Sequence, residues 1–301
     1  TMRVVDNVAW GRGTCDMKAG VVAAIAAVAA IRQADVSLPR SLAVHCVSGE
    51  EDGGTGAYST LRRGHSASAC LIAEPTSGCL IPANAGSLTF RLEIAGLAAH
   101  GSTRTRGISA VEKFEVVHRA LRDLEVRRNH QAPGLFAHLD LAWPLSVGIV
   151  RSGDWASTVP DRLVAEGRYG VRIDETVTAA IASFEAAVQD AAATDPWLRD
   201  HPVTVTWPGG IFAPGALGAG HRLLGDVGQA VLDVRGSTPA SVGGSYGSDL
   251  RHYIGAGIAT LQYGPGDVHY AHAIDEHVDL TDVVACARVY AVLALRLCNL
   301  G

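Results

Sequence analysis

Acidic residues and one histidine gather in four short segments of this chain. Asp16 lies in G-R-G-T-C-D-M-K-A-G, and Glu50 and Glu51 lie in S-G-E-E-D-G-G-T-G-A. Glu74 lies in L-I-A-E-P-T, and His272 and Glu276 lie in H-Y-A-H-A-I-D-E. Glu50, Glu51 and Glu74 follow directly on apolar runs of strand character, His272 follows one after a Gly-Pro-Gly loop, and Asp16 opens a helix. In open parallel sheets, ligands bind outside the carboxyl ends of the strands, so these residues can converge on one edge. Two carboxylates ~4 Å apart repel by about 4 kcal/mol at an effective dielectric near 20. A set of them is held together by protonation or by a cation. Carboxylate and imidazole donors suit zinc or a similar divalent ion.

The elements that must carry these residues alternate. An apolar helical stretch covers Gly20 to Ala34, a β-leaning run Ser41 to Val47, a helix about Gly56 to Arg63, and a second apolar run Ala69 to Ala73. Strand and helix in alternation predict βαβ units and a largely parallel sheet. The pattern then changes. Ser87 to Ile94 alternates as a half-exposed strand does. A helix follows at about Ile108 to Arg128, then strands at Leu145 to Val150 and Leu163 to Ile173. A further helix covers Val177 to Ala193, with a short strand at Val203 to Trp207. This order predicts a separate α+β domain with helices on one face. From about Pro208 the α/β character returns, with helices near Gly220 to Leu232, Ser248 to Tyr253 and Leu280 to Leu297, and a strand at Ala259 to Tyr263. The expected fold is α/β: a discontinuous catalytic domain with a mainly parallel sheet flanked by helices, residues 1–85 and 207–301, interrupted by an inserted α+β domain, residues 86–206.

Composition narrows the function classes. The 301 residues are 48% hydrophobic and 18% charged, enough for a packed core. With 25 basic and 30 acidic residues the net charge is −5, which argues against nucleic acid as a partner. The apolar helical run Gly20 to Ile31 is about half the ~20 residues a membrane span needs, so no membrane association is expected. The six cysteines form no C-x-x-C pair and most sit in apolar runs, which predicts buried free thiols in a reducing, cytoplasmic setting.

The four motifs in this order, with G-L-A-A-H-G-S around His100 and Y-G-P-G before His272, resemble those of the zinc-dependent family of acetylornithine deacetylase, succinyl-diaminopimelate desuccinylase and aminoacylase. The resemblance runs from about Val8 to the end. It implies a hydrolase that cleaves the amide bond of an N-acyl amino acid or small peptide, using water activated by two divalent metal ions. Zinc is expected, with cobalt or manganese as alternatives. Asp16 would bridge the ions, Glu51 and His272 would ligate one and Glu74 the other, and Glu50 would be the general base. The peptide after the bridging aspartate, Asp16–Met17, would be cis. The inserted domain would be a lid and dimerisation domain, making a homodimer in which His100 reaches the partner's site and helps hold the tetrahedral intermediate. Ser157 stands where the family offers an asparagine three residues before a proline, here Pro160, and Arg168 or Arg172 would grip the substrate carboxylate. Gly243 to Asp249 matches a Gly-rich loop lining the pocket, which adds Gly244 and Ser245 as substrate contacts. The family's His-x-Asp motif lies upstream of G-R-G, and nothing before Val8 supplies it. His45, within an expected strand, reads as a core residue. The sequence is therefore expected to be an incomplete version of a longer protein, truncated in the first catalytic segment.

Two rival readings stand beside this one. A catalytically impaired homologue could serve as a ligand-binding or dimerisation module. Gly243-Gly244-Ser245-Tyr246-Gly247 also fits the G-x-S-x-G serine-hydrolase elbow, with Asp249 or Asp267 and His269 or His272 following in order. That elbow needs a strand before the serine, and Gly236 to Pro239 reads as a loop.

Overall fold

The computed structural model describes residues 2–130, 132 and 134–299. In chain order, β1 (Arg3–Val5) and β2 (Val8–Trp10) lead through a π-helical turn, Thr14–Lys18, into α1 (Ala19–Gln33). Then come α2 (Thr55–Arg62), β3 (Ala69–Ile72), β4 (Leu80–Asn84), β5 (Gly86–Ala95), β6 (Ala99–His100) and α3 (Ala110–Asn129). Next are β7 (Leu145–Ser152), β8 (Thr158–Val159), β9 (Arg162–Val171), α4 (Val177–Ala193), α5 (Pro196–Asp200), β10 (Thr204–Thr206) and β11 (Ile211–Phe212). The chain closes with β12 (Gly215–Ala216), α6 (Arg222–Arg235), β13 (Ser241–Gly244), α7 (Leu250–Gly255), β14 (Ala259–Gln262), β15 (His277–Asp279) and α8 (Leu280–Asn299).

The chain divides into two compact units. One comprises the residues up to Ala83, Gly215–Gly243 and the residues from Ser248 onward; the other comprises Asn84–Pro214 with Gly244–Gly247. In the first unit β3 and β14 pair in parallel, Ala69 opposite Ala259, and β4 joins β14 antiparallel. The small residues Ala19, Ala23 and Ala27 give α1 a narrow face that packs in one core with Val289 and Leu293 of α8 and with Leu261 and Tyr263. One glycine in that helix matters for the site. A Cβ on Gly20 would stand 2.0 Å from the Ala73 carbonyl oxygen, so only glycine lets α1 start against the end of β3. The helical stretch Thr14–Gln33 is longer than the apolar run read from the sequence. It is long and apolar enough to cross a membrane by length and composition, with 39% of it buried in this fold.

The second unit is built on one long antiparallel pair. β5 and β9 are in register from Gly86 opposite Val171 to Ala95 opposite Arg162, and the sheet runs β10-β5-β9-β7. Alternation decides the buried face: Leu88, Phe90, Leu92 and Ile94 all point inward and join one core with residues of α3 and α4. Phe184 of α4 lies 4.8 Å from Phe90 and 5.1 Å from Tyr169, ring centre to ring centre. Ser109 caps α3 and Thr176 caps α4, each side chain accepting an amide N–H in the first turn.

The run Ser41 to Val47 is not a strand, and His45 in it is exposed rather than in the core. A strand exists only through a neighbour that completes its ladder, and none of the described strands runs beside this segment. Its apolar side chains, Leu42 and Val44 among them, instead line a cavity of about 670 Å³ with α1, β3 and α8. The cysteines carry free thiols, as expected, although Cys46 in the same run is exposed.

Candidate metal centre

Asp16 sits in the turn before α1, and Glu74 follows β3 by two residues. The tight start of α1 at Gly20 brings these two carboxyl groups into a shared hydrogen bond. His272 comes from the loop before β15. Its Nε2 lies 2.6 Å from Glu51 Oε1 and 3.3 Å from Asp16 Oδ2. Asp16, Glu51 and His272 each bring one ligand atom within 4.8 Å of the others. Asp16 therefore faces Glu51 and His272 while it bonds Glu74. The Asp16–Met17 peptide is cis.

The electrostatics are those of crowded anions. Burial pushes Glu74 well above the usual carboxylate range, and the charges of Asp16 and Glu50 push it further. Burial also raises Asp16, aided by Glu51 and opposed by the Glu74 hydrogen bond. Glu50 is pushed up to about 7, first by burial, then by the charges of Asp249, Glu51 and Asp16. The Glu51 hydrogen bond and charge raise the His272 imidazole. With no metal, protons do the neutralising. An oxygen-rich set with one imidazole fits a hard or borderline divalent ion, and such an ion would replace those protons.

The crowding has a measurable consequence for metal-free protein. Glu50, Glu74 and Asp16 keep protons in the fold at pH values where unfolded carboxylates have lost them. The folded state thus binds more protons above about pH 4, and stability falls as pH rises through about 7. His272 acts the same way: raised above its ordinary value, it contributes stability that is complete below about pH 6.5 and lost as pH rises through its folded value. Carboxylates held low, such as Asp279 beneath the Thr281 amide, make their contribution at more acidic pH. In chelator, the melting temperature should fall steadily between about pH 5 and pH 8. Calorimetry showing a flat or rising trend would contradict this.

In the sequence Asp249 reads as a triad acid or as the end of the Gly-rich loop, yet it is the first charge acting on Glu50. It is 4% exposed, its Oδ1 has no hydrogen-bond partner among the described residues, and burial raises it. Gly54 makes room for it: at φ +71°, a Cβ there would meet Asp249 Oδ1 at 2.1 Å. Arg12 carries no signal by spacing, and the sequence places Glu276 beside His272 without giving it a role. Glu276 is 2% exposed and pairs with Arg12 at 2.8 Å.

The remaining predicted residues belong to the second unit. β6 pairs with β8 so that His100 is opposite Thr158, and the Gly101 amide donates to the Ser157 carbonyl oxygen at 2.7 Å. The ribbon thus brings His100 and Ser157 side by side; the exposed His100 ring bonds Ser102 Oγ through Nδ1 at 2.8 Å. Arg168 lies on β9 and donates to the Ser245 carbonyl oxygen at 2.6 Å, beside Gly244. Arg172 falls one residue past β9, and its guanidinium is engaged by Asp174 and stacked over Trp143. Of the two arginines, Arg168 is therefore the one tied to the Gly-rich loop. The strand that the serine-hydrolase elbow requires is present after all: β13 ends at Gly244. Of the histidines weighed for that reading, His269 pairs with Asp267 at 2.6 Å and His272 with Glu51.

Comparison with known proteins places this arrangement in context. The model of peptidase family M20/M25/M40 matches residues 1–296. The chain is 27% identical to the N-formyl-4-amino-5-aminomethyl-2-methylpyrimidine deformylase of Bacillus subtilis, over 96% of this chain and 72% of that protein. It is 26% identical to an acetylornithine deacetylase of Myxococcus xanthus, over 98% and 74% respectively. Among solved structures, aminopeptidase PepT from Bacillus cereus is similar in fold, with a TM-score of 0.71 and 18% identity over 99% of this chain and 76% of that one. An M20 family metallo-carboxypeptidase from Sulfolobus solfataricus is similar with a TM-score of 0.73 and 12% identity, over 99% and 79%.

Proposed function

The chain belongs to peptidase family M20/M25/M40, a metal-dependent family of amide and peptide hydrolases, and from that premise we propose that it cleaves the amide bond of an N-acyl amino acid or small peptide at a dinuclear metal centre. The observation that carries this reading is the position of Asp16, whose carboxyl group faces Glu51 and His272 and also bonds Glu74. Asp16 would bridge two ions, one held by Glu51 and His272 and the other by Glu74, with zinc the expected metal. Such ions, when bound, lower the pKa of a water to about 7 and polarise the amide carbonyl.

The chain's own groups do the rest. Glu50 accepts the proton of the attacking water as oxygen bonds to the carbonyl carbon. It returns that proton to the nitrogen as the C–N bond breaks, so that a carboxylic acid and an amine leave. A base whose value lies near 7 suits both halves of this work. His100, presented on the β6–β8 ribbon, stabilises the developing oxyanion in a homodimer formed through the 86–206 segment. Arg168, beside Gly244 and Ser245, orients the substrate carboxylate, with Ser157 next to His100. Free thiols fit a reducing cytoplasmic setting.

The relatives named as deformylase and deacetylase widen the acyl groups to be tried. A panel of N-formyl, N-acetyl and N-succinyl amino acids and dipeptides, assayed with zinc, cobalt or manganese and again in chelator, tests the proposal. Release of amine only in the metal-loaded arm is expected. Turnover unaffected by chelator but stopped by a serine-directed phosphonate would shift the assignment to Ser245. Metal uptake without turnover on any member would favour a binding module.

A further inference from the structure

The loops that carry Asp16 and His272 are tied to each other by two residues, Arg12 and Glu276. Glu276 Oε1 accepts two consecutive amide N–H groups, Cys15 and Asp16, each at 3.0 Å. The Gly13 amide reaches the same carboxylate. A carboxylate accepting several amide N–H groups in a buried place fixes the backbone it caps. Its other oxygen, Oε2, accepts from Arg12 Nη1 at 2.8 Å. Arg12 Nη2 in turn donates to the carbonyl oxygens of His272 at 3.2 Å and Ala273 at 3.1 Å. His272 has φ 62°, a left-handed conformation that side chains other than glycine adopt only when neighbours hold it there. The Gly11 amide adds a bond to the Glu276 carbonyl oxygen at 2.9 Å.

We propose that Arg12 and Glu276 form a clamp of two positioning residues that holds the Asp16 turn and the His272 loop in register, so that Asp16 and His272 present their ligand atoms to the same point. Glu276 orients Asp16 through its own amide, and Arg12 holds the peptide of His272. Between the two loops the planar guanidinium can serve Glu276 and two carbonyls together, which a lysine ammonium on its single terminal nitrogen cannot do with the same geometry. The effect on metal affinity rests on the dinuclear reading above. The effect on the His272 ring does not.

Two readouts on the full chain separate these. The first is zinc affinity by calorimetric titration of metal-free protein. Glu276→Gln and Arg12→Met should each weaken binding about 10- to 100-fold, the range for residues that orient metal ligands. Arg12→Lys should recover part of the loss. The second is the ¹⁵N shift of His272 Nε2 in metal-free protein, which reports its contact with Glu51 and should move in both Arg12→Met and Glu276→Gln. Circular dichroism checks folding, and exposed Arg12 supplies the variant if Glu276→Gln fails to fold. Folded variants with unaltered zinc affinity and an unaltered His272 shift overturn the clamp and leave the metal centre standing. A wild type that takes up no zinc while the His272 shift moves in the variants overturns the metal reading and leaves the clamp standing. A lower melting temperature alone, with affinity and shift unchanged, assigns the pair a merely structural role and overturns the proposal.

Discussion

Glu50→Gln should lower kcat/KM by about 10² to 10⁴-fold while leaving the metal content of the protein unchanged. The amide keeps the shape of the carboxylate and loses its ability to take a proton. Glu50 is not among the groups whose ligand atoms converge with His272, so the substitution removes no ligand of that set. A second result distinguishes loss of a base from general damage. Glu50 is raised because it is buried near Asp249, Glu51 and Asp16, and its charge is unfavourable there without metal. The neutral glutamine removes that repulsion, so metal-free Glu50→Gln should melt at a higher temperature than the wild type above about pH 7. Metal-loaded Glu50→Gln that turns over normally would remove Glu50 from the base role.

Asp16→Asn should abolish both metal binding and turnover. Asp16 is the residue that meets Glu51 and His272 on one side and Glu74 on the other. An amide offers one neutral oxygen in place of a charged carboxylate, and the remaining ligands lose the group that joins them. Metal at about 100 times its dissociation constant should stabilise the wild type by about 2.7 kcal/mol. That increment should vanish in Asp16→Asn, measured as the difference in unfolding free energy with and without zinc. The folded variant should keep its metal-free stability above about pH 7, because one buried negative charge has gone. Undiminished zinc stabilisation in Asp16→Asn would contradict the bridging role.

The two expectations draw on one property of the site. Its carboxylates are tolerable only when protonated or when a cation is present. The fold brings them together through packing that has no electrostatic content, such as the contact of Gly20 with the Ala73 carbonyl. Stability without metal is therefore given up as pH rises through about 7, where Glu50 loses its proton, and a bound divalent ion would restore it.

The sequence by itself determined the chemical inventory and the elements with a strong local period. Motif order alone pointed to Asp16, Glu50, Glu51, Glu74 and His272. The periodicity of Val177 to Ala193 matches α4, and the alternation from Ser87 to Ile94 lies within β5, because helix and strand faces repeat over distances the local chain itself sets. Tertiary structure decided whatever needs a partner from elsewhere. Ser41 to Val47 has strand composition and no strand, since no ladder neighbour runs beside it. The short strands β1, β2 and β15 have little period of their own and form by pairing with each other. The contact of His272 with Glu51 spans 221 positions, and that of Glu276 with the Cys15 amide spans 261. The pKa of Glu50 likewise depends on Asp249 and on burial, which arise only when distant segments exclude water together. Residue types are carried along the chain, whereas proximity and desolvation are properties of the packed molecule.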